Sequence, residues 1–199
     1  MKRGITARRE RLRELEARLG RPRGLAVAAM AVEFPVVHGH PNRLPFEGVL
    51  TLLDVPSDRA PSGARGHRVI LTREAAEAAL PSLLGMAVDY KAGWDGHDAR
   101  QKCGIITAAE IDGNRLTVGG YLYARDYPEM EAKIQAEGAM GMSYELADAH
   151  VADLRASVWT LTRATFTGAA ILLRDKAAYR STSFRVMRRA AARPIAVAL

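Results

Sequence analysis

Two short segments of the chain carry side chains that could take part in hydrolytic chemistry. His97 lies in the glycine-punctuated polar turn WDGHDAR, and Ser143 follows two glycines and two methionines in GAMGMSYEL. A serine hydroxyl becomes a nucleophile when an imidazole can take its proton, and a turn can orient a histidine while leaving it accessible. Taken alone, each residue also fits an ordinary role, as a loop histidine and as a strand serine. Together they predict a nucleophile, Ser143, and its general base, His97.

Several other kinds of site are absent from the sequence. It contains no lysine-bearing phosphate loop, no HExxH motif and no GxSxG elbow, since Ser143 is followed by tyrosine and glutamate. A lone cysteine, Cys103, can form neither an internal disulfide nor a paired-cysteine zinc site. We therefore expect no metal and no cofactor.

The elements that must position these residues are mostly strands. Amphipathic or apolar runs bounded by glycine, proline and polar turns predict strands and one Asp-Gly-Asn hairpin: FEGVLTLLDV, HRVIL, MAVDY, CGIITAAEIDGNRLTVGGYLYA, MSYEL, VWTLTRATFTG and AAILL. Thr72 caps a predicted helix over REAAEAALPSLL, and a second helix is predicted over 128–137. Short hairpins outnumber regular crossovers, so the pattern favours an α+β fold with a mainly antiparallel β core and helices on its outside.

The two ends differ from the middle in charge. The chain has 29 Lys and Arg against 22 Asp and Glu, a net charge of +7, and much of this excess lies near the ends. We divide the sequence into a basic amphipathic arm (1–23), a central domain (24–180) and a basic, alanine-rich tail (181–199). The arm forms at most one helix with a narrow leucine stripe, and the tail lacks a sustained period, so both are expected to be dispensable for folding and to bind an acidic partner surface.

Two partner classes are disfavoured by composition. Aromatic residues make up only 6% of the chain and do not alternate with basic residues in the interior, which argues against nucleic-acid binding. The longest apolar runs, such as 25–32, are far shorter than the ~20 residues that span a bilayer, so no membrane contact is expected.

The two candidate segments, in their order, resemble the prohead proteases of tailed phages. WDGHD and the following NRLTVGGYL resemble that family's histidine region, GAMGMSYEL resembles its serine strand, and VWTLTRATFTGAAIL resembles the next strand. The likeness covers roughly residues 45–180, with histidine before serine as in the family.

The resemblance implies a fold, an activity and partners. The fold would be a β-barrel surrounded by helices, related to the herpesvirus maturational protease. The chain would be a serine endopeptidase that cleaves scaffold protein or extensions of the major capsid protein, inside assembling proheads in the host cytoplasm. Self-association into a homo-oligomer is left open. Amides near Gly141 or on the following loop would bind the oxyanion.

The third catalytic residue stays open at this point. Many relatives carry an acidic residue on the strand after the serine strand, where this sequence has Arg163, which could serve the oxyanion instead. The alternatives are Glu145, on the same strand face as Ser143, and His150, which would give a serine with two histidines. Weaker candidates complete the set: Asp98, Asp148 and Thr165.

Because Arg163 stands where many relatives carry an acidic residue, a second class of function is also considered. A chain that retained the protease fold without catalysis would be an assembly protein that binds scaffold or coat. A nucleic-acid-binding module is the third class and rests on charge alone. The presence of both Ser143 and His97 favours the enzyme.

Overall fold

The computed structural model describes residues 28–35 and 39–187, and most of this part is β-strand. The strands are β1 (Ala28–Ala31), β2 (Leu44–Leu52), β3 (Arg68–Leu71), β4 (Ala87–Tyr90), β5 (Lys102–Asp112), β6 (Arg115–Leu122), β7 (Met140–Val151), β8 (Val158–Leu173) and β9 (Ser183–Val186). Two short helices, α1 (Arg73–Ala79) and α2 (Glu129–Glu137), and a 3₁₀ turn (Leu80–Leu83) accompany them. The predicted α+β class is confirmed at this level.

The strands form one curled, mixed, barrel-like sheet. Its order is β3-β8-β4-β5-β6-β2-β9, with β1 added to β5 and β7 added to β8. Most pairings are antiparallel, as predicted, but β3 and β4 both run parallel to β8. The two runs VWTLTRATFTG and AAILL are one long strand, β8, which pairs with β7 along most of its length. These parallel pairings place β4 beside the strand that also holds β7.

Local signals in the sequence explain where the elements begin and end. The hydroxyl of Thr72 accepts a hydrogen bond from the Ala75 amide at 3.2 Å and caps α1. The β5–β6 hairpin turns at Gly113, whose φ of 57° lies in the left-handed region. Helix α2 ends at Gly138 with φ 62°, so this glycine serves as a helix C-cap.

The folded part extends beyond the predicted domain boundary at residue 180. Strand β9 pairs antiparallel with β2, and the Phe184 ring stacks on Phe46 with centroids 5.0 Å apart. Thr182 is buried as well. Assigning all of 181–199 to a tail was therefore wrong, because two core side chains in this segment bury themselves against β2 and β7. The predicted arm (1–23) and the rest of the tail (188–199) lie outside the described residues.

A single large apolar cluster fills the space under the curled sheet. It joins the inner faces of the sheet to α1, α2 and the 3₁₀ turn, with fully buried members such as Leu71, Ala76, Leu83, Val88, Ile106, Leu116 and Phe166. In the part of the chain that the structure describes, no helix is both long enough and apolar enough to cross a membrane.

Candidate active site

Ser143 lies in a row of residues that crosses three neighbouring strands. On β8, Ala170 is the partner of Ser143 from β7 and also of Asp89 from β4. Residues in register on adjacent strands project their side chains to the same face of a sheet. Ser143 and Asp89 therefore share a face, with their Cα atoms about 10 Å apart across the small Ala170. The gap is wide enough to admit one more side chain from above.

His97 comes from the loop after β4, and this loop is held on both sides of it. Trp94 is buried, stacks on Tyr90 at 4.9 Å and accepts the amide of Leu173 through its carbonyl oxygen. Its φ of 54° is rare for a bulky residue, so the surrounding contacts must stabilise it. On the other side, the Asp98 amide donates to Asp89 Oδ1 at 3.3 Å. The loop is thus pinned three residues before His97 and one residue after it.

The imidazole of His97 lies between two carboxylates. Nδ1 is 3.6 Å from Asp89 Oδ1 and 3.5 Å from Glu145 Oε1. Both ring nitrogens are buried, and among the described residues neither has a hydrogen-bond partner. Ser143 and His97 line the same cleft, but the structure contains no hydrogen bond between them in its described part.

Asp89 is a buried carboxylate with several compensating contacts. Its side chain is 0% exposed, and Lys102 Nζ lies 3.0 Å from Oδ2. Burial by itself would raise the pKa of Asp89, but the close approach of the His97 ring, with the hydrogen bond and positive charge of Lys102, outweighs burial and holds the pKa below its ordinary value. Asp89 is therefore charged at neutral pH.

Glu145 approaches the same imidazole from β7. Its side chain is 40% exposed, and its other carboxylate oxygen lies over Gly168, where an added Cβ would come within 3.0 Å of it. A shift in the β7–β8 register directly follows Glu145. The residue thus shares the site with Ser143, as the sequence predicted, but in a more solvated position than Asp89.

A cleft of about 1020 Å³ opens over these residues. Its lining includes His97 and the β7 segment 143–146, and the loop 59–65 and Trp159 contribute to its walls. This volume is at the upper end of the range of ligand-binding clefts. Ser143 is thus reachable from solvent along a surface with both polar and apolar walls.

Gly141 has a structural reason for being glycine. A Cβ added there would lie 2.8 Å from the Thr182 hydroxyl oxygen and 3.2 Å from the Cα of Arg174. The same hydroxyl accepts a hydrogen bond from the Met142 amide at 3.2 Å. Gly141 is not among the residues that line the cleft. The sequence context predicted a close approach to Gly141. The groups that make this approach are Thr182 and Arg174 of the chain itself.

The remaining predicted residues lie elsewhere. His150 and Arg163 face each other across β7 and β8, with Nε2 and Nη2 2.7 Å apart, and both are exposed. Neither lines the cleft, so the structure does not bring them to His97. The three weaker candidates have other contacts or positions. The Asp98 carboxylate accepts a hydrogen bond from the Arg100 amide, and Thr165 pairs with Ala147 across β7 and β8. Asp148 is exposed, with a φ of 51°, where the register of β7 shifts.

Cys103 lies next to the site strand but cannot act as its nucleophile. Its thiol is fully buried and donates to the Val88 carbonyl at 3.3 Å. Burial, with a smaller contribution from the charge of Asp89, raises the pKa of Cys103 to about 12. The thiol is therefore protonated at neutral pH.

Asp89, His97 and Glu145 also have the side-chain types and the spacing of a metal-ligand set. In the described residues, the ligand atoms of Asp89, His97 and Glu145 lie within 4.8 Å of one another. Two carboxylates and an imidazole suit a divalent cation. Lys102 already neutralises the other oxygen of Asp89. The expectation of a metal-free site remains a prediction.

Asp89 and Lys102 are the site residues that the sequence analysis missed. Asp89 was placed within the predicted strand MAVDY, and its partner Lys102 begins the next strand. One signal was available, since a carboxylate inside an apolar strand must find a partner when it is buried. Which partner it finds depends on the pairing of β4 with β5 and β8.

Comparison with known proteins adds no relative to this description: no family model matches the chain, and no curated protein matches it.

Proposed function

We propose that this chain is a serine endopeptidase in which Ser143 is the nucleophile and His97 the general base. One observation carries the proposal. His97 is held by a pinned loop over the sheet face that carries Ser143, in a cleft that opens to solvent, and its Nδ1 faces carboxylates. A serine-histidine mechanism uses a histidine that a carboxylate orients near the nucleophile, whichever fold supplies it, and these contacts support the proposal.

The reaction would follow the acyl-enzyme route. As the Ser143 hydroxyl attacks the peptide carbonyl, its proton passes to Nε2 of His97, and the same proton then goes to the leaving amine as the peptide bond breaks. Water next gives its proton to His97 and attacks the ester, which releases the new carboxyl end and restores the serine. The carboxylates at Nδ1 stabilise the imidazolium that forms at each step.

The edge of β7 offers a donor for the oxyanion. The Met142 amide donates to Thr182 Oγ1 and so points away from β8. Amides two residues apart on a strand point the same way, so the Tyr144 amide, directly after Ser143, also points away from β8. Among the amides near Gly141, we assign that of Tyr144 as the donor to the developing negative charge.

The substrate and setting rest on the resemblance to prohead proteases. On that basis the substrates are scaffold protein and extensions of the major capsid protein, cleaved inside assembling proheads in the host cytoplasm. The finer fold assignment, a barrel related to the herpesvirus maturational protease, belongs to the same proposal. The curled, mixed sheet accompanied by two short helices is compatible with it.

Labelling with a fluorophosphonate tests the proposal without knowledge of the substrate. Such a probe phosphonylates an activated serine, and mass spectrometry locates the adduct. The variants are Ser143→Ala, His97→Gln and, as a matched control, Ser62→Ala, since Ser62 is an exposed serine of the same cleft. We expect an adduct on Ser143 in the wild type and the control, and none in the other two.

Cleavage of a co-expressed scaffold or coat precursor completes the test. Ser143→Ala should abolish processing while the protein stays folded, because losing one hydroxyl leaves no large cavity. Processing that persists in Ser143→Ala would assign the chemistry to another residue.

A second candidate function is a catalytically silent assembly protein that binds scaffold or coat. The observation that favours it is the absence, in the described residues, of any hydrogen bond to the His97 ring nitrogens. It predicts no adduct and no processing in the wild type, together with binding to scaffold or coat that Ser143→Ala leaves unchanged.

A further inference from the structure

Two carboxylates compete for one imidazole nitrogen at this site, and they differ in how firmly they are held. Asp89 is fully buried, on a strand that is hydrogen-bonded on both sides, to β5 and to β8. Its oxygens have separate partners, with Lys102 on Oδ2 and the Asp98 amide on Oδ1. The carboxylate is therefore fixed in position and in orientation before substrate arrives.

Glu145 is less constrained. Its side chain is 40% exposed, its only described ion-pair contact is the one to His97, and the strand register shifts directly after it. An exposed carboxylate interacts weakly with a neighbouring charge, because water and salt screen it and its side chain loses freedom by pairing. A hydrogen on Nδ1 can be donated well to only one of the two acceptors at a time.

We propose that Asp89 is the positioning residue of His97, with Lys102 holding Asp89, and that Glu145 is dispensable for this role. Asp89 keeps the proton of the neutral ring on Nδ1, which leaves Nε2 unprotonated, as the proposed general base must be. Asp89 itself touches no substrate and transfers no proton. The effect of Asp89 on cleavage rests on the proposed function, whereas its effect on the tautomer of His97 does not.

The tautomer of His97 can be read by nitrogen NMR of the full chain, without any substrate. Long-range ¹H–¹⁵N spectra distinguish a protonated Nδ1 from a protonated Nε2 in a neutral imidazole, and His97→Gln identifies the signal among the five histidines. We expect the Nδ1–H form in the wild type and in Glu145→Gln. In Asp89→Asn the amide can donate to Nδ1, so the ring should change to the Nε2–H form.

Kinetics give a second readout on the same variants. Asp89→Asn should lower kcat by roughly 1,000- to 10,000-fold with little change in KM, as expected for loss of the correct tautomer. Glu145→Gln, the matched carboxylate-to-amide change, should lower kcat by less than about tenfold. Lys102→Met leaves Asp89 in place but frees Oδ2, and it should give an intermediate loss.

The outcomes separate this inference from the function on which its catalytic part rests. A wild-type ring in the Nε2–H form would overturn the inference, even if Asp89→Asn failed to fold. The inference would also be overturned if Glu145→Gln changed the tautomer of His97 and lowered kcat by more than 100-fold. The wild type could show the Nδ1–H form, and Asp89→Asn could lose it, while the wild type neither cleaves a substrate nor reacts with the fluorophosphonate. In that case the positioning role of Asp89 stands and the peptidase proposal fails.

Discussion

Replacing Gly141 by alanine should destabilise the serine strand in a way that can be worked out from its contacts. The added methyl carbon would lie 2.8 Å from Thr182 Oγ1, well inside van der Waals contact, and 3.2 Å from the Cα of Arg174. The Thr182 hydroxyl cannot move aside freely, because it also accepts the Met142 amide and donates to the Tyr179 carbonyl at 2.9 Å. The strand itself must therefore shift.

The size of the effect follows from two contributions. Forcing one methyl group into a filled site costs about 1–3 kcal/mol. Weakening one of the two hydrogen bonds of Thr182 adds about 0.5–1.5 kcal/mol. Together they predict a loss of roughly 2–4 kcal/mol of unfolding free energy, which for a domain of this size corresponds to a fall in Tm of roughly 6–12 °C. Displacement of β7 should also lower any activity of Ser143.

Gly119 provides the matched control for this experiment. An alanine methyl there would meet its nearest neighbour, the Phe46 carbonyl oxygen, at 3.6 Å, which is ordinary contact. Gly119→Ala should therefore leave Tm unchanged or raise it slightly, because the unfolded chain loses freedom. Thermal melts by circular dichroism compare the two variants under one condition. If the Tm of Gly141→Ala fell within about 2 °C of that of Gly119→Ala, the steric argument would be refuted.

Three further predictions concern other parts of the molecule. Because the folded-state pKa of Asp89 lies below the unfolded value of about 3.9, its ionic contribution to stability is present above about pH 4 and is lost as pH falls through the folded pKa. Denaturant titrations should therefore show that the wild type exceeds Asp89→Asn in unfolding free energy by less and less as the pH falls through that acidic range. Cys103 should resist iodoacetamide in the native protein and react after unfolding, as mass spectrometry can show, and fast native labelling would contradict its burial. Deleting residues 182–199 should lower Tm, since Thr182 and Phe184 are buried, whereas deleting residues 1–23 should leave Tm nearly unchanged. If the protein without residues 182–199 melted like the wild type, β9 would contribute nothing to thermal stability.

The local architecture could be predicted from the sequence because its signals are local. The Thr72 cap, the glycine turn after Asp112 and the strand runs depend on residues a few positions apart, and the structure confirms them. The placement of Glu145 on the same strand face as Ser143 has the same origin, since it needs only the alternation of side chains along β7.

The composition of the site was decided by tertiary structure. Asp89 meets His97 because β4 runs parallel to β8 in a register that aligns Asp89 with Ala170, and Ala170 in turn with Ser143. That register depends on pairing between segments far apart in the sequence, and no local pattern encodes such pairings. The same holds for β9, because the polar–apolar alternation of SFRV covers only four residues and the segment becomes a strand by pairing with β2. The sequence by itself determined which residues could do chemistry, and the pairing of distant strands decided which of them stand together.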